Sequence, residues 1–244
     1  MLFLFLLSII LLALILLRSP YIKGFLGEYI VKLIIGKPSE EPGKEKFLIH
    51  NFILQYDFGK TSQIDHIVVN TEGVFVIETK NYSGCIYGND TQREWTQVLN
   101  YGRTKYRFYN PVKQNYTHMH RIKNILPDKT PIFSIVVFVK GNIAYIESMN
   151  VYTPWDLFSI LNPRIPEHRL SPGEIKEISN ILVANNRSSE ISNFEHIQNI
   201  RNMQENIDNG LCPRCQGNLV VRHGKNGYFM GCSNYPKCKF TKEL

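Results

Sequence analysis

Two apolar stretches joined by a tight turn constrain this chain more than any other feature of its sequence. Residues 63–81 hold two runs rich in valine and isoleucine, on either side of a Glu-Gly dipeptide at 72–73. This pattern predicts a β-hairpin whose strands are largely buried. The same strands carry Asp65, Glu78 and Lys80. Charged side chains in buried strands are costly unless they pair with one another or bind a metal.

The turn of this hairpin decides whether its charged residues share one face of the sheet. Glu78 and Lys80 are two positions apart in one strand, so they point to the same side. Pairing Thr71 with Val74 around a two-residue turn places Asp65 opposite Lys80, on that side as well. A three-residue turn sends Asp65 to the other face unless a bulge corrects the register.

Two carboxylates and a lysine on one face are the parts of a small metal-and-water site. Hard oxygen ligands such as Asp65 and Glu78 can hold Mg²⁺. The ion can activate a water molecule and neutralise charge on a phosphate, while Lys80 orients the water or stabilises developing charge. The alternative is a surface hairpin with a cross-strand ion pair and no chemistry.

Residues 1–17 contain no charged side chain. As a helix they span roughly 25 Å, the low end of what crosses a bilayer. We therefore expect residues 1–18 to be an uncleaved transmembrane anchor. The alternative is a cleaved signal peptide, but no basic segment precedes the apolar run and no small-x-small cleavage site follows it.

Basic residues follow the apolar segment, at Arg18, Lys23 and Lys32. By the positive-inside tendency the body of the protein faces the cytoplasm. The sequence thus predicts a single-pass protein of the inner (cytoplasmic) membrane, with its soluble domains on the cytoplasmic side.

The chain between the anchor and residue 170 reads as one mixed α/β domain. Its expected elements alternate between helical and extended segments. They are a helix at 24–36, a strand at 47–57, the hairpin, a short strand at 84–88, a helix opened by Asn110-Pro111, a buried strand at 132–139, a shorter strand at 143–146 and a helix at 154–161. We assign residues 20–170 to this domain and residues 171–209 to a helical linker.

Four of the five cysteines lie near the end of the chain, as Cys212, Cys215, Cys232 and Cys238. Two cysteine pairs separated by a short β-rich insert predict a tetrahedral zinc site. Four thiolate ligands leave no open coordination position, so the predicted role of the zinc is structural. Residues 210–244 are therefore expected to form a small Cys₄ zinc-ribbon module.

Basic and aromatic side chains alternate across the same module. The chain as a whole is basic, with 28 Lys+Arg against 21 Asp+Glu. Basic groups can follow phosphates while aromatic rings stack on bases, although some rings must form the core of so small a module. The candidate nucleic-acid-binding residues are Arg222, Lys225, Tyr228, Phe229, Lys237 and Lys239.

Several motifs between residues 20 and 130 resemble the nuclease-related domain (NERD) family. They are Gly27-Glu28, Gln63-Ile64-Asp65-His66, Val76-Ile77-Glu78-Thr79-Lys80-Asn81, Trp95 and Asn110-Pro111-Val112-Lys113-Gln114 with His118. That family is placed in the PD-(D/E)xK nuclease superfamily, whose restriction-endonuclease-like core is a mixed sheet flanked by helices. The resemblance implies as active-site residues Glu28, Asp65, Glu78, Lys80 and Gln114. His118 stands where related nucleases often have tyrosine, and its role stays open.

The C-terminal module resembles the Cys₄ zinc fingers of bacterial type IA DNA topoisomerases. Both its Cys-Pro-x-Cys start at 212–215 and its Gly-Cys-Ser-Asn-Tyr-Pro-Lys-Cys end at 231–238 match. The fingers of those enzymes bind single-stranded DNA, which implies DNA as a partner here.

Together these features favour a membrane-anchored DNA nuclease that depends on Mg²⁺ or Mn²⁺ and carries a structural Zn²⁺. The alternative is a catalytically inactive, membrane-tethered DNA-binding or scaffold protein on a nuclease fold. The charge set alone does not separate them, because geometry decides whether a metal binds.

Overall fold

A computed structural model describes residues 19–36, 46–56, 60–162, 170–224 and 227–243. The predicted anchor at 1–18 and the candidate Lys225 lie outside these residues. Among the residues described, none of the helices combines the length and the apolar character that a membrane crossing requires.

The chain divides into two compact units. Among the described residues, the first comprises 19–36, 46–52, 64–162 and 170–184, and the second comprises 53–56, 60–63, 185–224 and 227–243. The helices are α1 (Pro20–Ile35), α2 (Pro111–Lys123), α3 (Leu157–Leu161), α4 (Pro172–Asn185) and α5 (Asn193–Asp208). The strands are β1 (Lys46–Tyr56), β2 (Lys60–Asn70), β3 (Gly73–Asn89), β4 (Glu94–Leu99), β5 (Thr104–Tyr109), β6 (Ile132–Glu147), β7 (Val151–Tyr152), β8 (Leu219–Gly224), β9 (Gly227–Cys232) and β10 (Thr241–Glu243). This confirms a mixed α/β fold followed by a small β module.

The main sheet has seven strands in the described part of the chain and is built around β3. Its order is β1-β2-β3-β4-β5, with β6 parallel to β3 and β7 parallel to β6. The first part of β3 pairs with β2 and the second part pairs with β4. The prediction of separate short strands at 84–88 and 143–146 is wrong, because β3 and β6 continue through these positions. Register shifts between Lys80 and Tyr87 let the long strand bend without ending.

Apolar side chains alternate along β3 and β6 and so fill a core on each face of the sheet. On one face Ile77 and Val137 pack in a cluster with Val31 of α1 and Leu157 of α3. On the other face the cluster contains Trp95 of β4, Val112 of α2, and Val136 and Phe138 of β6. The sheet is therefore a middle layer, with α1 and α2 contributing to cores on its two sides.

Two buried asparagines fix helix α2 on the sheet. The Asn110 side chain accepts hydrogen bonds from the N–H groups of Val112 and Lys113, which caps the helix. The Asn115 amide donates to the carbonyls of Val76 at 2.8 Å and Ile135 at 3.0 Å. Because Asn115 bonds to adjacent strands, it sets how close α2 lies to them.

Replacing Asn115 with alanine should lower the free energy of unfolding by about 2 kcal/mol, since it removes buried hydrogen bonds to two strand carbonyls. Urea denaturation of the full chain, followed by circular dichroism, measures this change. Asn124→Ala, at the exposed end of the same helix, is the matched control and should change stability by less than about 0.5 kcal/mol. Equal losses in the two variants would contradict the anchoring role.

Candidate active site and zinc module

The hairpin β2–β3 turns through Thr71 and Glu72, with Asn70 paired to Gly73. The expected pairing of Thr71 with Val74 is thus wrong by one position on each strand. The turn still has two residues, so the parity of the faces is unchanged. This register places Asp65 across from Glu78 instead of Lys80, and it keeps all three charged side chains on one face.

The two strands part just where the charged residues begin. The last residues in register are His66 and Ile77. One step further, the Asp65 Oδ2 atom accepts a hydrogen bond of 2.7 Å from the backbone N–H of Thr79. A side-chain carboxylate here satisfies the donor that a strand backbone would otherwise pair with. The Asp65 side chain therefore bridges the two strands where their backbone pairing ends. This hydrogen bond fixes the carboxylate beside Glu78.

Lys80 lies between the hairpin and helix α2. Its Nζ atom donates to Glu78 Oε1 at 2.6 Å and to Gln114 Oε1 at 3.1 Å. Glu78 is only 3% exposed. The second oxygen of Glu78, Oε2, lies 3.5 Å from His118 Nε2. A buried carboxylate is thus held between a lysine and a histidine, and Gln114 and His118 approach it from one turn of the same helix.

Glu28 approaches the same cluster from helix α1. The preceding residue, Gly27, lies so close to β3 that a Cβ atom there would be 2.8 Å from the Cβ of Asn81. The Asn81 amide also donates to the carbonyl of Lys23 at 2.6 Å. These contacts dock the helix at the strand residue that follows Lys80. Glu28 is half-buried as a result, and its charge acts on Asp65.

Burial and mutual repulsion separate the three carboxylates electrostatically. Burial alone would raise the pKa of Glu78, but the charge of Lys80, followed by the His118 ring 3.5 Å away, outweighs it and lowers that pKa to about 2. Burial, followed by the charges of Glu78 and Glu28, raises the pKa of Asp65 well above its usual value. Burial, followed by the charge of Glu78, raises the pKa of Glu28. Glu78 is therefore ionised beside Lys80. Ionising Asp65 or Glu28 without a cation nearby costs free energy.

The same crowding makes the cluster suitable for a divalent cation. A cation relieves the repulsion that raises the pKa of Asp65, and carboxylate oxygens are the ligands that Mg²⁺ prefers. Oδ1 of Asp65 accepts no hydrogen bond from any described residue, and it can serve as a ligand. Oxygen atoms of Glu28, Asp65 and Glu78 do not all lie within 4.8 Å of one another. Among the described residues, only the four cysteines form a group of potential metal ligands that close together. Water or phosphate oxygens would complete the coordination of Mg²⁺, as is usual for this ion.

The structure brings all five predicted site residues into one region, and it adds Asn115, which the sequence did not identify. Asn115 carries no periodic signal, because a buried asparagine is recognised only when its backbone partners are known. Gly27 and Asn81 belong to the sequence motifs, yet their contact with each other depends on how α1 packs. The roles of Glu28, Asp65, Glu78, Lys80 and Gln114 in catalysis remain predictions.

The four cysteines of the C-terminal module surround one point. The Sγ atoms of Cys212 and Cys238 are 3.7 Å apart, and those of Cys215 and Cys232 are 3.3 Å apart. All four Sγ atoms lie within 4.8 Å of one another. With Zn–S bonds of about 2.3 Å, tetrahedral geometry requires sulfur–sulfur distances of about 3.8 Å. The predicted Cys₄ zinc site is thereby confirmed as a ligand arrangement.

The candidate DNA-binding residues of this module fall into two groups. Tyr228 is 69% exposed, and Lys237 and Lys239 are exposed as well. Arg222 is instead half-buried, donates to the carbonyl of Cys232 at 3.0 Å and lies over the ring of Tyr235.

Phe229 is also half-buried, and its ring lies 3.0 Å from the position that a Cβ of Gly224 would occupy. Arg222 and Phe229 therefore support the module's own structure, which leaves Tyr228 as the accessible aromatic candidate. Its ring contacts that of His223 at a centroid distance of 4.9 Å.

Comparison with known families gives separate matches for the charged cluster and for the cysteine module. Residues 23–139 match the nuclease-related domain, and residues 209–244 match the topoisomerase DNA binding C4 zinc finger. The first match contains the charged cluster, and the second contains the four cysteines. No solved structure matches the chain significantly.

Individual relatives are similar to one part of the chain at a time. An uncharacterized protein of Bacillus anthracis is 40% identical over 119 residues, which are 49% of this chain and 54% of that protein. DNA topoisomerase 1 of Mycoplasmoides gallisepticum is 39% identical over 74 residues, 30% of this chain and 10% of the enzyme. DNA topoisomerase 1 of Methanocaldococcus jannaschii is 66% identical over 45 residues, 18% of this chain and 6% of the enzyme. The chain thus spans about half of the first relative and a small part of the topoisomerases.

Replacing Asp65 with asparagine should stabilise the protein at neutral pH, because it removes a carboxylate that resists ionisation. A raised pKa in the folded state means that stability is present below the ordinary aspartate pKa and is lost as pH rises through the raised value. The gain in Asp65→Asn should therefore be absent below the ordinary aspartate pKa of about 4 and should grow as pH rises from there to neutral pH. Chemical denaturation in Mg²⁺-free buffer measures it.

The exposed Asp128 provides the control for that experiment, since Asp128→Asn changes the same charge at the surface. It should show no comparable growth with pH. A variant Asp65→Asn that becomes less stable than the wild type as pH rises would contradict the electrostatic description of the cluster.

The zinc site predicts one Zn²⁺ bound per chain and its loss in Cys212→Ser, since three remaining thiolates leave the tetrahedron incomplete. Elemental analysis of the purified full chain measures the metal content. Cys85→Ser should retain zinc, because Cys85 does not belong to the cysteine group. Wild-type protein without zinc, or equal zinc in both variants, would contradict the assignment.

Proposed function

We propose, from the premise that residues 23–139 are a nuclease-related domain and residues 209–244 a topoisomerase-type C4 zinc finger, that this protein hydrolyses phosphodiester bonds in DNA. Its core is restriction-endonuclease-like, and its activity depends on Mg²⁺ or Mn²⁺. The observation that carries the proposal is the partly buried contact of Lys80 with both Glu78 and Gln114, beside the Asp65 carboxylate.

The carboxylates of Asp65 and Glu78 would hold the divalent ion, with Glu28 assisting directly or through water. The bound ion supplies Lewis-acid polarisation of the phosphate and a more acidic water molecule. Asp65 is kept in position by the N–H of Thr79, and Glu78 by Lys80 and His118. The protein therefore orients both ligands before any substrate arrives, which avoids reorganisation during the reaction.

Lys80 acts as a cation and not as a base in this proposal. Although burial alone would lower the pKa of Lys80, the charge of Glu78 outweighs it and raises that pKa, so the ammonium group is retained at neutral pH. It can donate a hydrogen bond to the attacking water or to a phosphate oxygen, where negative charge grows as water attacks phosphorus and the leaving sugar oxygen departs. Gln114 fixes the direction in which the ammonium group points.

The zinc module would hold the DNA strand. Tyr228 offers an accessible ring for base stacking, and Lys237 and Lys239 offer charges for phosphates. This supports DNA as the partner of the chain, because stacking on rings and pairing with phosphates are how proteins without sequence preference bind single strands.

The membrane would hold the protein through residues 1–18, in the single-pass, cytoplasm-facing arrangement that the sequence predicts. A feature of α1 supports this placement. Its side away from the sheet presents Tyr21, Phe25, Tyr29 and Leu33 at exposed fractions of 73%, 58%, 47% and 64%. Aromatic side chains with a polar tip favour the boundary between lipid and water.

The nuclease proposal predicts Mg²⁺- or Mn²⁺-dependent cleavage of DNA by the full chain in detergent. Glu78→Gln and Lys80→Ala should each lower the rate by about 100-fold or more, because each removes a group that stabilises charge in the transition state. Lys129→Ala, at an exposed site, should retain the wild-type rate. Circular dichroism establishes that each variant is folded.

Equal cleavage by the wild type and Lys80→Ala would show that the nuclease activity does not come from this site. DNA binding without cleavage, independent of Mg²⁺ and lost with the zinc module alone, would favour the inactive membrane-tethered scaffold instead.

A further inference from the structure

A second surface suited to nucleic acid lies on the sheet of the nuclease-related unit. Strands β3, β4, β5 and β6 continue beyond the charged cluster as a four-stranded ribbon. One line of paired residues crosses all four strands: Arg107 pairs with Thr96, Thr96 with Tyr87, and Tyr87 with Tyr145. Side chains in directly paired positions point to the same face. The line therefore puts an arginine at one end and two tyrosines at the other.

The adjacent line of the ribbon continues the pattern. Lys105 pairs with Val98, and Val98 pairs with Cys85. Lys105 and Arg107 are both exposed, two positions apart on β5, so their charges lie along the same side of one strand. Among the described residues neither one forms an ion pair. The acidic residues at the edges of this face are Glu94, paired with Tyr109, and Glu147, paired with Asn89.

The opposite face of the ribbon carries the apolar side chains that pack into the core. Trp95, Ile86 and Phe138 are fully or almost fully buried there, and Phe108 packs against them. The open face instead has Tyr87 at 41% and Tyr145 at 50% exposure. Their rings stack on each other with centroids 4.6 Å apart and an angle of 16° between the planes. Arg93 and Arg107 line the same shallow cavity as Tyr87.

We infer that this ribbon face, defined by Tyr87, Thr96, Lys105, Arg107 and Tyr145, binds a single strand of DNA. The basic side chains of β5 contact successive phosphates, and a base extends the stack begun by the two tyrosines. A single strand fits because its bases are free to stack, whereas those of a duplex are paired. The inference rests on the proposed function for the choice of DNA and adds to it a surface outside the zinc module.

Fluorescence anisotropy with a labelled oligonucleotide of about 20 thymidines tests the surface in the full chain. In Lys105→Glu/Arg107→Glu, affinity should fall and the slope of log Kd against log salt should decrease by about 1.4, since two phosphate contacts with a single strand are lost. Lys129→Glu/Lys176→Glu is the matched control, because both lysines are exposed and the net charge changes equally.

The stacking part is tested separately in Tyr87→Ala/Tyr145→Ala, which should bind about tenfold more weakly with an unchanged salt slope. Tyr106→Ala is its control, since Tyr106 is 56% exposed and pairs with Gln97 outside this line. Equal effects of the ribbon and control variants, or unchanged binding in both ribbon variants, would overturn the inference.

Cleavage assays on the same variants distinguish this inference from the nuclease proposal. If the wild type does not cleave but only the ribbon variants lose binding, the surface stands and the nuclease proposal fails. If the wild type cleaves and the ribbon variants keep its KM and kcat, the surface fails and the nuclease proposal stands.

Discussion

The candidate site depends on one hydrogen bond, from the backbone N–H of Thr79 to the Asp65 carboxylate. Strands β2 and β3 stop pairing after His66 and Ile77, and a donor at that point needs a partner. Because Asp65 supplies it, the backbone N–H of Thr79 stays satisfied although the strands diverge, and the carboxylate is fixed where the sheet opens. The charged residues thus lie at a structural discontinuity and not in an unbroken sheet.

Elements packed in the two layers beside the sheet complete the cluster at this opening. Helix α2 brings Gln114 and His118, and its depth is set by the bonds of Asn115 to the strands. Helix α1 brings Glu28, and its depth is set by the absence of a side chain at Gly27. Three carboxylates close together repel, and Lys80 compensates mainly Glu78. The remaining negative charge makes a divalent cation favourable at the site.

The sequence predicted much of this arrangement because its signals there are local. Charged residues within β-branched runs mark the hairpin, and the two-residue turn gives the correct faces although Thr71 does not pair with Val74. Cysteine spacing likewise identifies the zinc ligands. The continuation of β3 past Gly84 was missed because glycine ordinarily ends a strand, whereas here register shifts absorb it. Asn115 was missed because its backbone partners are distant in sequence. Arg222 and Phe229 were predicted to contact DNA, yet their side chains pack within the zinc module. A module this small has few residues, so some of its basic and aromatic side chains must form its core.

In the proposed nuclease, Asp65 and Glu78 jointly hold a divalent metal beside Lys80. Anomalous X-ray diffraction from crystals soaked in Mn²⁺ measures this directly, with the zinc signal at the four cysteines as an internal reference. We expect a manganese peak within about 2.2 Å of one oxygen from each carboxylate, and no such peak in Glu78→Gln. A fully occupied zinc site together with no manganese between Asp65 and Glu78 in the wild type would contradict it.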